Sequence, residues 1–114
     1  MFRKFVTLPN FKTYDIDRNN VRVRLNENIV GNVVFFEELV TPVINKSVIV
    51  NTLITANYPS DKMDAIRNNY DLVRDGVAGE KTEEYTKEYL EMQTWRKEAK
   101  KLADEIINEY NKEK

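Results

Sequence analysis

Thr82-Glu-Glu-Tyr-Thr-Lys-Glu-Tyr-Leu-Glu-Met-Gln-Thr-Trp-Arg-Lys-Glu-Ala-Lys-Lys-Leu-Ala-Asp-Glu-Ile-Ile-Asn-Glu-Tyr110 is the stretch that decides the fold. Neither Gly nor Pro occurs from Glu80 to the end. Tyr85, Tyr89, Met92, Trp95, Ala99, Leu102, Ile106 and Tyr110 recur at spacings of three or four, one continuous apolar stripe of an α-helix. Thr82 offers a capping hydroxyl, and Glu83 and Glu84 place carboxylates in the positively polarised first turn. At 1.5 Å per residue, the span Thr82–Tyr110 makes a helix of about 43 Å. A compact domain of this chain length is roughly 35 Å across. One end of the stripe is therefore expected to reach past what its own domain covers and to meet another chain; the competing reading packs the whole stripe as core. The charges of the segment come in blocks: Glu80 to Glu91 is net −3, Arg96 to Lys101 net +3, and Asp104 to Glu109 net −3. Such blocks suit a solvated face, or set register against a partner helix of complementary blocks.

Toward the N-terminus the period changes. Pro59-Ser60-Asp61 reads as a helix start with Ser60 as N-cap, and Met63, Ile66, Tyr70 and Val73 fall on one helical face. Asp75-Gly76 ends it, with Gly76 suited to a left-handed position. Before about Ala56 the pattern is strand-like. Arg3 to Leu8 is a candidate strand stopped by Pro9, Lys12 to Asp17 alternates, and Val21-Arg-Val-Arg-Leu25 has a clean period of two. Asp17-Arg-Asn-Asn20 and Asn26-Glu-Asn28 read as turns. Ile29 to Leu39 reads as one strand with Gly31 at a bulge, and Val43 to Thr55, dense in Val, Ile and Thr, as another. The expected architecture is α+β in a single domain over 1–114. It comprises a β-rich part (1–58, with an antiparallel sheet from 3–56), a short helix (59–76), a linker (77–81) and a long helix (82–114).

Composition narrows the chemistry. The charged share, 32%, exceeds the usual quarter or so, and net charge is −1. Residues 1–58 carry seven basic against five acidic side chains (+2), and residues 59–114 eleven against fourteen (−3). No Cys and no His occurs. Ser-His-Asp and Cys-His triads are thereby impossible, and the imidazole and thiolate ligands of most zinc sites are missing. Three glycines cannot build a P-loop or G-x-G-x-x-G turn. The start, Met1-Phe-Arg-Lys-Phe-Val, has no apolar run of signal-peptide length, and no window approaches a membrane span.

Three constellations remain. Asp15-Ile-Asp17-Arg-Asn19-Asn20 mimics half of a calcium loop, but Asn20 stands where Gly is needed and Asn26 where a bidentate Glu is needed, so a hairpin turn is expected. Glu37 and Glu38, adjacent on a strand, point to opposite faces and cannot share a site. Arg22 and Arg24 share a strand face with Arg18 and Lys12 nearby, a surface that could track single-stranded nucleic acid. The competing reading there is the wet face of a sheet, with Arg for solubility.

Asn57-Tyr-Pro-Ser-Asp-Lys-Met-Asp-Ala-Ile-Arg-Asn-Asn-Tyr70 and Glu91-Met-Gln-Thr-Trp-Arg-Lys-Glu-Ala-Lys-Lys-Leu-Ala103 resemble segments of small virion-associated structural proteins of tailed bacteriophages, of the crAss-like type. The resemblance covers about a quarter of the chain and carries no catalytic motif. It implies a structural subunit present in many copies, attached to a capsid, connector or tail. The expectation is thus a non-enzymatic structural or interaction protein that docks on other subunits, as a homo- or hetero-oligomer, through Tyr85, Tyr89, Met92, Trp95, Leu102, Ile106 and Tyr110. No cofactor, metal, membrane or small-molecule substrate is called for. Its place would be a virion or the host cytoplasm. The alternatives are a small regulator or anti-defence protein that binds a host factor, and single-stranded nucleic-acid binding through Arg18, Arg22 and Arg24.

Overall fold

The structure, a computed structural model, describes residues 3–43 and 45–112. Met1 and Phe2 of the N-terminal reading, Ile44 of the Val43–Thr55 run, and the last two residues of the 82–114 segment lie outside the described residues. The fold is α+β. Four strands, β1 (Arg3–Thr7), β2 (Tyr14–Asp17), β3 (Asn20–Val30) and β4 (Val33–Pro42), form an antiparallel sheet in the order β1-β4-β3-β2. Three helices follow: α1 (Lys46–Asn57), α2 (Ser60–Arg74) and α3 (Thr82–Lys112).

The turns show which local signals prevailed. β2 and β3 are joined by Arg18-Asn19, with Asp17 paired to Asn20, as the Asp17–Asn20 signal predicts. The left-handed residue there is Arg18 (φ 57°) rather than an Asn. Asn26-Glu-Asn28 is not a turn. It is a bulge within β3, where Asn26 takes φ 56° and its side-chain amide donates to Glu37 at 2.7 Å. Pairing resumes beyond it, Ile29 to Val34 and Val30 to Val33, so the strand continues to Val30. The turn falls instead at Gly31-Asn32, where Gly31 has φ 63°. The turn expected at Asn26–Asn28 and the bulge expected at Gly31 are therefore exchanged. Both residue types tolerate that backbone, and the apolar pairing on either side decides between them.

Residues 46–57 correct the expected fifth strand: they are α1. Val48, Ile49, Val50 and Ile54 favour strands, but that preference is weak beside packing and capping. Ile49 and Leu53, four apart, are fully buried, and Asn45 caps the helix by accepting from the Val48 amide at 3.0 Å. The sheet therefore ends at Pro42, not at residue 56. In α2, Pro59 holds the N-cap position and Ser60 is already helical; no side chain caps this end. Asp75-Gly76 closes the helix as expected, with Gly76 at φ 75° and the Val77 amide donating to Leu72 at 3.0 Å. Thr82 does not cap α3 by accepting an amide; its hydroxyl donates to the Gly79 carbonyl at 2.7 Å.

The chain divides into two compact units, one of residues 1–49 with 105–114 and one of residues 50–104. The divisions fall inside α1 and α3, not near residue 58. In the first unit Val21, Val23, Leu25, Val34, Phe36, Thr41, Val43, Ile49 and Ile106 are buried. In the second, Leu53, Ile54, Ile66, Met92, Ala99 and Ala103 are.

Candidate protein interface

The apolar stripe of α3 is turned inward. Met92, Ala99 and Ile106 are fully buried, and Tyr85, Tyr89, Trp95, Leu102 and Tyr110 are half-buried. Met92 and Ile106 are therefore core rather than open interface, while the five half-buried members keep part of their surface in water. Within the second unit the Trp95 indole N–H donates to the Leu53 carbonyl at 3.0 Å, and Tyr89 stacks on Tyr70 with ring centres 4.0 Å apart. Within the first, Tyr110 donates to Asn19 Oδ1 at 3.0 Å and the Tyr14 hydroxyl donates to Glu109. A side chain already closed over by its own chain has no area left to bury against another. Met92 and Ile106 have none left, whereas Tyr85, Tyr89, Trp95, Leu102 and Tyr110 retain some.

The exposed apolar area lies elsewhere. One face of the sheet can be followed through the register. Tyr14 lies opposite Val23, Ile16 opposite Val21, and Val21 opposite Thr41. Farther along that face Phe5 lies opposite Phe35, and Val30 opposite Val33. The end of α3 reaches this group, with Tyr14 donating to Glu109 and Tyr110 to Asn19, and Val21, Val23, Thr41 and Ile106 are buried. The second group is bare. Phe5 is 70% exposed and Val30 58% exposed, with Phe35 and Val33 half-buried beside them. The rings of Phe5 and Phe35 meet at 5.9 Å. β1, the strand carrying Phe5, is also an edge of the sheet.

On the opposite sheet face the arginines are divided in their roles. Arg24 is half-buried over the Phe36 ring at 5.7 Å; it donates to the Lys12 carbonyl at 3.1 Å and pairs with Glu38 at 3.3 Å. That leaves Arg18, at the hairpin turn, and Arg22 exposed. The three do not form one open basic groove, because Arg24 is held within its own sheet. Glu37 and Glu38 take opposite faces as expected, and Glu38 binds Lys4 at 2.7 Å. That hydrogen bond holds the Glu38 carboxyl below its usual range, against the opposing effect of burial.

Titration elsewhere moves the same way, away from neutrality. The hydrogen bond to Glu109 and then burial push the Tyr14 hydroxyl up to about 12. Burial, followed by the Glu91 charge, pushes Tyr58 up. Among the described residues no group of three acidic side chains is placed to hold a metal ion. No helix among them is long and apolar enough to cross a membrane.

These features describe an α+β chain with one sheet face half covered and half bare. Comparison with known proteins returns no matching family model, curated protein or solved structure.

Proposed function

We propose that this chain is a non-enzymatic structural protein of a tailed-bacteriophage particle, attached to capsid, connector or tail. The resemblance of residues 57–70 and 91–103 to small virion-associated proteins supports the class. The single observation that carries docking is the bare half of the sheet face, where Phe5, on the edge strand β1, and Val30 remain exposed beside Phe35 and Val33. Large aromatic and β-branched side chains left in water on a sheet edge favour association with another protein surface. The docking surface therefore passes from the α3 stripe to the sheet.

Mass spectrometry of purified particles tests this reading. The protein should appear at a fixed ratio to the major capsid subunit. Phe5→Ser with Val30→Ser should remove it from particles while its melting temperature stays close to that of the parent. Absence of the unaltered protein from particles would defeat the proposal and favour the regulator of a host factor.

A further inference from the structure

The sheet ends on β1 at one side and on β2 at the other, and each of these strands is paired along one side only. In an antiparallel ladder the N–H and C=O of one residue point the same way, and successive residues alternate. The Leu8 amide donates to the Asn32 carbonyl at 2.7 Å, on the β4 side. Lys4 and Val6 therefore turn their backbone groups toward β4, and Arg3, Phe5 and Thr7 turn theirs out of the sheet. The Arg24 amide donates to the Thr13 carbonyl at 2.8 Å, so Asp15 and Asp17 bond to β3 while the backbone groups of Tyr14 and Ile16 point outward. Two rows of backbone donors and acceptors thus lie at opposite edges of one sheet. Their side chains differ. The β1 edge presents Phe5, 70% exposed, on one face, and Lys4, with 58% of its side chain exposed, on the other. The β2 edge presents half-buried Ile16 and exposed Asp17 on the corresponding faces.

We propose that β1 of one copy pairs with β2 of a second copy, extending the sheet head to tail from chain to chain. Neighbouring strands are antiparallel throughout the order β1-β4-β3-β2, so β2 runs opposite to β1 and the added strand continues the alternation. A hydrogen-bonded pair must join Arg3, Phe5 or Thr7 to Tyr14 or Ile16. Of the registers that satisfy this, one places all four residues of β2 against β1. It sets Thr7 opposite Tyr14 of the second copy, Val6 opposite its Asp15, Phe5 opposite its Ile16 and Lys4 opposite its Asp17. Thr7–Tyr14 and Phe5–Ile16 are then the hydrogen-bonded pairs, each exchanging both N–H···O bonds. Residues directly opposite share a face and interact there. Phe5 thus gains Ile16 on one face, and Lys4 gains the Asp17 carboxylate on the other. Lys4 already holds Glu38 at 2.7 Å, but an ammonium has three N–H donors and can serve both carboxylates.

The same rules disfavour the symmetric joins. With β2 on β2, bonding Tyr14 to Ile16 sets Asp15 against Asp15, and like charges directly opposite are destabilising. With β1 on β1, centred on Phe5, Lys4 lies opposite Val6 and gains no carboxylate. The head-to-tail join is heterologous, so each pair of copies keeps one open β1 and one open β2, and rows grow past a dimer. Few backbone bonds and one apolar pair make a weak contact, with a dissociation constant of roughly 10 µM or higher. The join uses the strand edges, and it stands whether or not the chain belongs to a particle.

Sedimentation equilibrium of the full chain tests the join, with circular dichroism as the folding control. The mean mass should rise past that of a dimer between roughly 10 µM and 1 mM. Thr7 has φ −71°, the value proline fixes, and its N–H points out of the sheet. Thr7→Pro therefore keeps the fold, removes an edge donor and should leave the chain monomeric. Asp17→Lys sets a second ammonium against Lys4 of the next copy and should weaken association roughly tenfold or more. The decisive sample mixes the two variants. Thr7→Pro retains an intact β2 and Asp17→Lys an intact β1, so together they should form a one-to-one dimer with the affinity of the parent contact. A parent chain that stays monomeric to roughly 1 mM overturns the proposal. So does association that survives Thr7→Pro, a mixture that fails to pair, or an Asp17→Lys variant that associates like the parent, the result expected of β1 on β1. Particle incorporation is read with Phe5 and Val30, and the join with Thr7 and Asp17, so either can fail without the other.

Discussion

The two halves of one sheet face carry similar residues and meet different fates. Ile16, Val21 and Val23 lie on one half, and Phe5, Val30, Val33 and Phe35 on the other. On the first half, which the end of α3 reaches through Glu109 and Tyr110, Val21 and Val23 are fully buried; the second leaves Phe5 and Val30 in water. Apolar composition is thus no measure of what a residue contributes to stability. Coverage is. The largest test of that difference is Ile106→Ala, which opens a cavity at a fully buried position of the covered half. It should cost about 2 to 5 kcal/mol, and thermal unfolding should show a fall of roughly 10 °C or more. An unchanged midpoint would mean that α3 does not close the sheet.

A smaller effect belongs to Tyr14, at the margin of the covered half. Its hydroxyl donates to Glu109, which with burial pushes its pKa up to about 12, from an ordinary value of 10.0. The folded state therefore favours the protonated phenol. That contribution is fully present below about pH 10 and is lost as pH rises through about 12. Tyr14→Phe should remove roughly 1 kcal/mol at neutral pH and flatten the decline of denaturation midpoints above pH 10. A variant whose alkaline decline matches that of the parent would show that Tyr14 does not bind α3 to the sheet.

Much of this was legible in the sequence, and the reasons for the rest are physical. Val21–Leu25 announces its strand because one face is buried and the other wet, so alternation survives. The segment 82–110 announces α3 because its stripe runs unbroken. Residues 46–57 mislead because branched side chains that prefer strands also fit a capped helix with Ile49 and Leu53 inside. The spacing of Met92, Trp95 and Ile106 fixes that they share a face, but not whose surface covers it. Both coverings require the same period. The bare half of the sheet was hidden for a different reason. Val33 to Phe36 are apolar on both faces, so no alternation marks which side is left open.

The smallest expected effect is on the bare half itself. Val30→Thr keeps the shape of the side chain and its preference for a strand while adding a hydroxyl at a position 58% exposed. Water reaches that hydroxyl, so no buried polar group is created, and the change in stability should stay within about 0.5 kcal/mol. Chemical denaturation of the isolated chain measures this directly, and a loss of 2 kcal/mol would place Val30 in a core rather than on a surface. A small stability change at Val30 beside a large one at Ile106 is what separates a surface left open to water from one already closed by the chain.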